Sequence, residues 1–235
     1  MPDINTEIGK LIRGARKKRG MTLNELAEVI CKSQSTVSKY EKGEITVDIA
    51  TLYDIADALR VHVEQLLYVR PERTELRAPG NNPAFFTDTS QFYSYLFDGR
   101  SNSLMRCVFD VLSKADERKY KIMMYMNFKD FDNYKNCENT YWGYIEHYDA
   151  VTNIALTNQD MPMEKASAQI LASYLDSDKK WGLFNGFSSR PMMPIAAKML
   201  FSKKKLKEDE ELIRSLKISK DDIRLMKLYN MMAVT

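Results

Sequence analysis

The residues from 33 to 43, SQSTVSKYEKG, place hydroxyls, an amide and two lysines at helical spacing around a single valine and a single tyrosine. Such a helix buries little on its own. Its groups are those that read or grip other polar molecules: Gln34 as a paired donor and acceptor, Ser35, Thr36 and Ser38 as hydroxyls of either sense, Lys39 and Lys42 as cations. Nothing else in the chain offers so concentrated a set. His62 and His147 are the two histidines, and Cys31, Cys107 and Cys137 are odd in number, far apart and outside any CxxC pair. That pattern fits a reducing compartment and argues against a disulfide framework or a zinc site. HExxH, GxSxG, GxGxxG and P-loop sequences are absent, so neither catalysis nor a cofactor is expected. Asp130 and Asp132 in KDFDNY read as a turn.

The elements that must hold the polar helix are legible around it. Ile8, Leu11, Ile12 and Ala15 recur at i, i+3, i+4 and i+7, predicting an amphipathic helix that Asn5 or Thr6 can cap and Gly20 ends. TLNE opens a second helix with Thr22 and Glu25 as a capping box, and Leu23, Leu26, Ala27 and Ile30 as its apolar face. Ser33 caps the third helix, Gln34 to Lys42, in which Val37 and Tyr40 face inward. Asp48 caps a fourth helix built on Leu52, Ile55, Ala56 and Leu59, and a short fifth piece, Val63 to Leu67, closes the unit.

Two helices joined by a tight turn, the second polar on its outer face, make a helix-turn-helix. A major groove admits one α-helix and is read by amides, hydroxyls and cations. Gln34 can pair with adenine and Lys39 can reach guanine. Residues 1–70 carry 11 Lys+Arg against 10 Asp+Glu, a balance of +1. Any hold on double-stranded DNA must therefore come from where the cations sit.

TLNELAEVICKSQSTVSKYEKGE followed by TLYDIADALRVHVEQLL resembles the phage-repressor (Xre, Cro-like) helix-turn-helix family over residues 7–67. The resemblance implies five short helices with the third in the major groove. It also implies an ion pair between Arg16 and Glu41, and phosphate contacts from Thr22 and Lys42. Leu23 replaces the glutamine that usually braces the first reading residue. Cys31 and Arg60 replace glycines, so each must accept a backbone geometry that glycine tolerates best. EITVD replaces a basic, proline-containing loop.

Residues 70–90, with three prolines and Gly80-Asn81-Asn82, read as a linker whose Phe85 and Phe86 pin its end to the second domain. From Gln91 the pattern turns to strands. FYSYLF and LMRCVFDVL flank an Asp98-Gly99 turn, and KYKIMMYMNF, TYWGYIEHY and VTNIALTN come next. MEKASAQILASYL returns to helical spacing, KWGLFNGFSS and IAAKMLFS read as strands, and two helices end the chain, the last capped by Ser219 and Asp222.

The expected fold is thus an all-α five-helix domain over residues 1–69, a linker over 70–90, and an α+β domain over 91–235 with a mainly antiparallel sheet. Eight of the thirteen tyrosines fall between residues 93 and 148. They suggest either cross-strand packing or an aromatic pocket for a small molecule, with Tyr125, Trp142 and Tyr144 as walls and Arg190, in NGFSSRPMMP, as an anion contact. A net charge of +3, a mean hydropathy of -0.43 and the lack of a long apolar run point to a cytoplasmic protein with no membrane contact. The expected function is transcriptional regulation by sequence-specific DNA binding, as a homodimer, with the second domain sensing a ligand, dimerising, or both. The competing reading is an antitoxin or phage-type controller whose second domain binds a partner protein.

Overall fold

The structure, a computed structural model, describes residues 3–68, 84–86, 89–171, 177–189 and 192–233. The chain divides into two compact units, Met1–Arg73 and Thr74–Thr235.

The first unit is helical: α1 (Ile4–Lys18), α2 (Leu23–Val29), α3 (Gln34–Lys42), α4 (Ile49–Leu59) and α5 (Val63–Leu66). Asp3, rather than Asn5 or Thr6, caps α1, its carboxylate accepting from the Thr6 N–H at 3.2 Å. Thr22, Ser33 and Asp48 cap the next three helices through the same bond to the third helical residue. The core joins Ile12, Leu26, Val37 and Ile55, each fully buried, with Leu52, Leu59 and Leu66.

The helices α2, α3 and α4 all end in a Schellman motif. Lys32 N–H donates to Ala27 O at 2.9 Å, Glu44 N–H to Lys39 O at 2.9 Å, and Val61 N–H to Ala56 O at 2.9 Å. Each motif needs one residue in the left-handed region. Gly43 takes it at φ 72°, but Cys31 and Arg60 take it at 52° and 53° without glycine's freedom.

In the second unit the expected antiparallel pairing holds, but the sheet closes into a β-barrel. Its strands are β1 (Gln91–Asp98), β2 (Ser103–Asp116), β3 (Lys119–Phe128), β4 (Cys137–His147), β5 (Val151–Asn158), β6 (Lys165–Leu171), β7 (Lys179–Ser189) and β8 (Met192–Ser202). Each pairs antiparallel with its sequence neighbours, and β1 pairs with β8, so the described strands close in simple up-and-down order. Closure satisfies the edge N–H and C=O groups that an open sheet would leave unpaired. The chain ends with α6 (Glu210–Leu216) and α7 (Lys220–Tyr229). Ser219 and Asp222 form the capping box of α7.

The helix expected in MEKASAQILASYL is instead β6 through Leu171, while residues 172–176 lie outside the described residues. Ala, Gln and Leu are good helix formers, but pairing on both sides overrides them. Ala166, Ala168 and Ile170 alternate into the barrel while Lys165 and Leu171 face out.

Side chains fill the barrel interior. Phe92 and Phe109 stack with centroids 4.6 Å apart beside Phe201, Met124, Tyr141, Ile145 and Ile154. Of the expected linker, residues 84–86 and 89–90 are described. Phe85 and Phe86 are buried in this same interior, each worth about 1.5–3 kcal/mol on transfer from water. Outside, the β3–β4 connection covers Val108, Met123 and Tyr125, and α6 covers Tyr95 and Leu200.

Candidate nucleic-acid interface

The sequence makes α3 both polar and anchored. Ser33 Oγ accepts from the Thr36 N–H at 3.1 Å and lies 2.8 Å from both the Ser35 and Thr36 hydroxyls, organising the first turn. Val37 and Tyr40 are buried, and so is Glu41, which the apolar spacing alone would not place inside. Glu41 is held there by Arg16 of α1. Arg16 Nε donates to Glu41 Oε1 at 2.5 Å and Nη2 to Oε2 at 2.9 Å, while Nη1 donates to the Met21 carbonyl at 2.7 Å. The hydrogen bond to the carboxylate raises the guanidinium's pKa, so Arg16 stays charged.

The approach of α1 to α3 is set by Gly9. A Cβ there would stand 2.4 Å from the Tyr40 carbonyl oxygen and 2.7 Å from that of Glu41. One helix therefore lies directly on the backbone of the other, clamped at its end by the ion pair. Gln34, Ser35, Lys39 and Lys42 are left exposed on the opposite side, with Thr36 and Ser38 half-buried.

Residues 12–66 match the family model described as Helix-turn-helix. The first unit is a helix-turn-helix domain. A predicted HTH-type transcriptional regulatory protein from Thermococcus kodakarensis is 37% identical over 75 residues, which cover 27% of this chain and 24% of that protein. This chain thus aligns with about a quarter of the length of that curated relative. Among solved structures, the clp gene regulator ClgR from C. glutamicum is 30% identical over 28% of this chain and 86% of its own, with a TM-score of 0.28. Apo-HppE aligns over 85% of this chain and 98% of its own at 14% identity and a TM-score of 0.28, a likeness too slight to bear on the barrel.

Within the helix-turn-helix domain, Thr22 is committed to its capping box. Its backbone N–H donates to Glu25 Oε2 at 2.7 Å and its hydroxyl to the same oxygen at 2.9 Å. These two bonds hold the Glu25 carboxyl below its usual range. The Thr22 side chain remains exposed beside the start of α2. Lys42 lies 3.6 Å from Glu44, a surface pair that costs little to open. Leu23 packs onto the apolar core of the domain, and its side chain has no polar group to offer Gln34.

The aromatic residues named for a pocket lie on the outside of the barrel, where Trp142 packs against the cluster that holds Tyr125 and touches Tyr144. Tyr125 is 2% exposed beneath the β3–β4 connection, its ring 5.2 Å from that of Tyr134. Trp142 and Tyr144 stand on the outer wall, edge to face at 6.4 Å. Strand parity puts all three on the outer face, Met123 pairing with Trp142 and Tyr125 with Thr140. β4 sends Tyr141, Ile145 and His147 inward, so Trp142 and Tyr144 point out. They border an open groove of about 530 Å³ whose floor is Ala155, Thr157 and Ser167 and whose far wall is Phe187. Arg190 lies outside the described residues.

Two polar clusters have no motif in the sequence. On the outer wall, Asp110 accepts from Gln91 Nε2 and from the Tyr134 hydroxyl, both at 2.8 Å. At one end of the barrel, His147 is 3% exposed, with Nδ1 3.1 Å from Thr152 Oγ1. Burial lowers this imidazole to about 4, so it is neutral at physiological pH. Period-two alternation around His147 was the available signal, since it shares a parity with Ile145. Among the described residues, no group of three or more His, Cys, Asp or Glu is arranged to hold a metal ion, and no helix is long and apolar enough to cross a membrane.

Proposed function

We propose that this protein is a DNA-binding transcriptional regulator that lays α3 in the major groove. The observation that carries the reading is the division of α3 into two faces. One is locked to α1 by Gly9 and the Arg16–Glu41 fork, and the other presents Gln34, Ser35, Lys39 and Lys42 to solvent. A rigid helix whose outward groups are amide, hydroxyl and cation matches the donor and acceptor code of base edges. Gln34 and Lys39 carry base preference, with Ser35 and the half-buried Ser38 beside them. Thr36, tied to the Ser33 cap, sets the first turn. Lys42 holds a phosphate and fixes the register, joined by the exposed Thr22 hydroxyl when it turns from Glu25 to a phosphate. The helix-turn-helix match and the regulator names of the relatives support the same reading.

The barrel unit, in this reading, senses a small molecule and joins two copies of the chain. Two modules would then read half-sites ~34 Å apart or a multiple of it. The chain acts by binding and not as an enzyme.

Selection of bound fragments from genomic DNA at low salt tests the proposal, and a recurring motif is the expected result. Gln34→Ala and Lys39→Ala should each flatten preference at one position by about 1–3 kcal/mol. Lys42→Ala should weaken all sequences alike and reduce the salt slope by about 1. Fragments with no shared motif would refute it.

A further inference from the structure

One end of the barrel, where β1 begins and β8 finishes, is closed by residues that belong to no strand. Ala84–Phe86 forms a single 3-10 turn, yet Phe85 is 2% and Phe86 4% exposed. The Phe86 ring meets Phe92 edge-on at 5.3 Å and lies 4.8 Å from the His147 ring, and Tyr120 stands 5.6 Å from that imidazole. Lys203 Nζ lies 5.8 Å from the centre of the Phe85 ring. Two of the turn's carbonyls are served from within its own segment: Thr89 N–H donates to Phe86 O at 3.2 Å, and the Thr89 hydroxyl to Phe85 O at 3.4 Å. The strand ladder closes through β1 and β8 without them. The two rings fill an end of the barrel that they do not help to build.

We propose that this mouth is a binding site for a small amphipathic aromatic molecule, and that Phe85 and Phe86 occupy it as an internal, displaceable ligand. Apolar sites with a few placed polar groups are the usual form of small-molecule pockets, and barrel mouths are among their usual places. Eight strands enclose room for one small ligand once no side chain fills it. Here the walls are aromatic, the buried polar pair is His147 with Thr152, and the cation near the rim is Lys203. A two-ring body with a carboxylate or sulfonate matches that set, the rings replacing the phenyl groups and the anion meeting the lysine. Because the turn lies in sequence between α5 and β1, displacing it alters the segment that joins the two units. The proposal rests on the sensing role given above to the barrel, and its readout does not involve DNA.

The test uses the full chain and 8-anilinonaphthalene-1-sulfonate, a two-part aromatic anion. Phe86→Ala should gain one saturable dye site per chain, at least tenfold tighter than in the unaltered protein, with near-UV circular dichroism retained. A synthetic peptide of residues 82–90 should displace the dye. Should the variant lose its near-UV signal and bind many dyes weakly, the decision passes to the unaltered chain. There, saturating dye should speed amide exchange at Phe86 and Thr89 while β2, β3 and β4 stay protected. A folded Phe86→Ala with no gain in dye binding, or exchange at those amides unchanged by saturating dye, overturns the proposal. Either failure leaves the DNA reading standing, since a chain that binds no dye can still select a motif.

Discussion

The Arg16–Glu41 pair invites a quantitative test because its two members should fail separately and not together. Their side chains are 10% and 6% exposed, the contact is bidentate, and Arg16 also serves the Met21 carbonyl. Removing one partner strands the other as a buried charge, which costs ~3–5 kcal/mol in a full interior. Because a little solvent reaches both, we expect about 2–4 kcal/mol for Glu41→Leu and a similar loss for Arg16→Met. Replacing both leaves no stranded charge, so the double variant should be no worse than the poorer single one, a coupling of about 2 kcal/mol or more. Urea unfolding followed by the helical far-UV signal measures all four corners of the cycle. The single variants should also bind DNA more weakly, because α3 is then held to α1 by packing alone. Two single variants each within about 0.5 kcal/mol of the parent, or losses that simply add, would refute the clamp.

Three further outcomes are expected. Cys31→Gly and Arg60→Gly should each stabilise the helical unit by about 0.5–1 kcal/mol in the same unfolding assay, because both residues hold the left-handed position of a Schellman motif. Gly9→Ala should cost about 1–3 kcal/mol, since its methyl would meet the Tyr40 and Glu41 carbonyls at 2.4 and 2.7 Å, and backbone must move to admit it. The barrel should lose stability as pH falls from 6.5 towards about 4. Over that window the unfolded chain protonates His147 and the folded one does not, a loss of about 3 kcal/mol that His147→Gln should abolish in a pH series of thermal melts.

The helical unit was largely legible because its signals are local. A cap at Ser33 or Asp48 involves residues three apart, and the tight turn before α3 is written in adjacent positions. Even the strain at Cys31 and Arg60 followed from their standing where glycine is expected. The α1 cap was misplaced because Asp3, Asn5 and Thr6 are all competent, and which one caps depends on where the first turn packs. The burial of Glu41 needed the resemblance to suggest it, since a carboxylate faces inward only where a partner 25 residues away makes that tolerable.

In the barrel the balance reverses. Most strands show in the sequence, because alternation and β-branched or aromatic content are properties of short segments. Their closure does not, because the pairing of β1 with β8 joins residues about a hundred positions apart. β6 is the plainest case, a segment of helix formers made into a strand by neighbours on both sides. The same non-local pairing put Tyr125, Trp142 and Tyr144 together on the outer wall, and the turn before β1 brought Phe86 to His147. By itself the sequence determined the helix-turn-helix, its caps and the chemistry offered by α3, since those depend on residues a turn or two apart. Tertiary structure alone decided which side chains the barrel encloses, because inside and outside are defined only once the sheet has met itself.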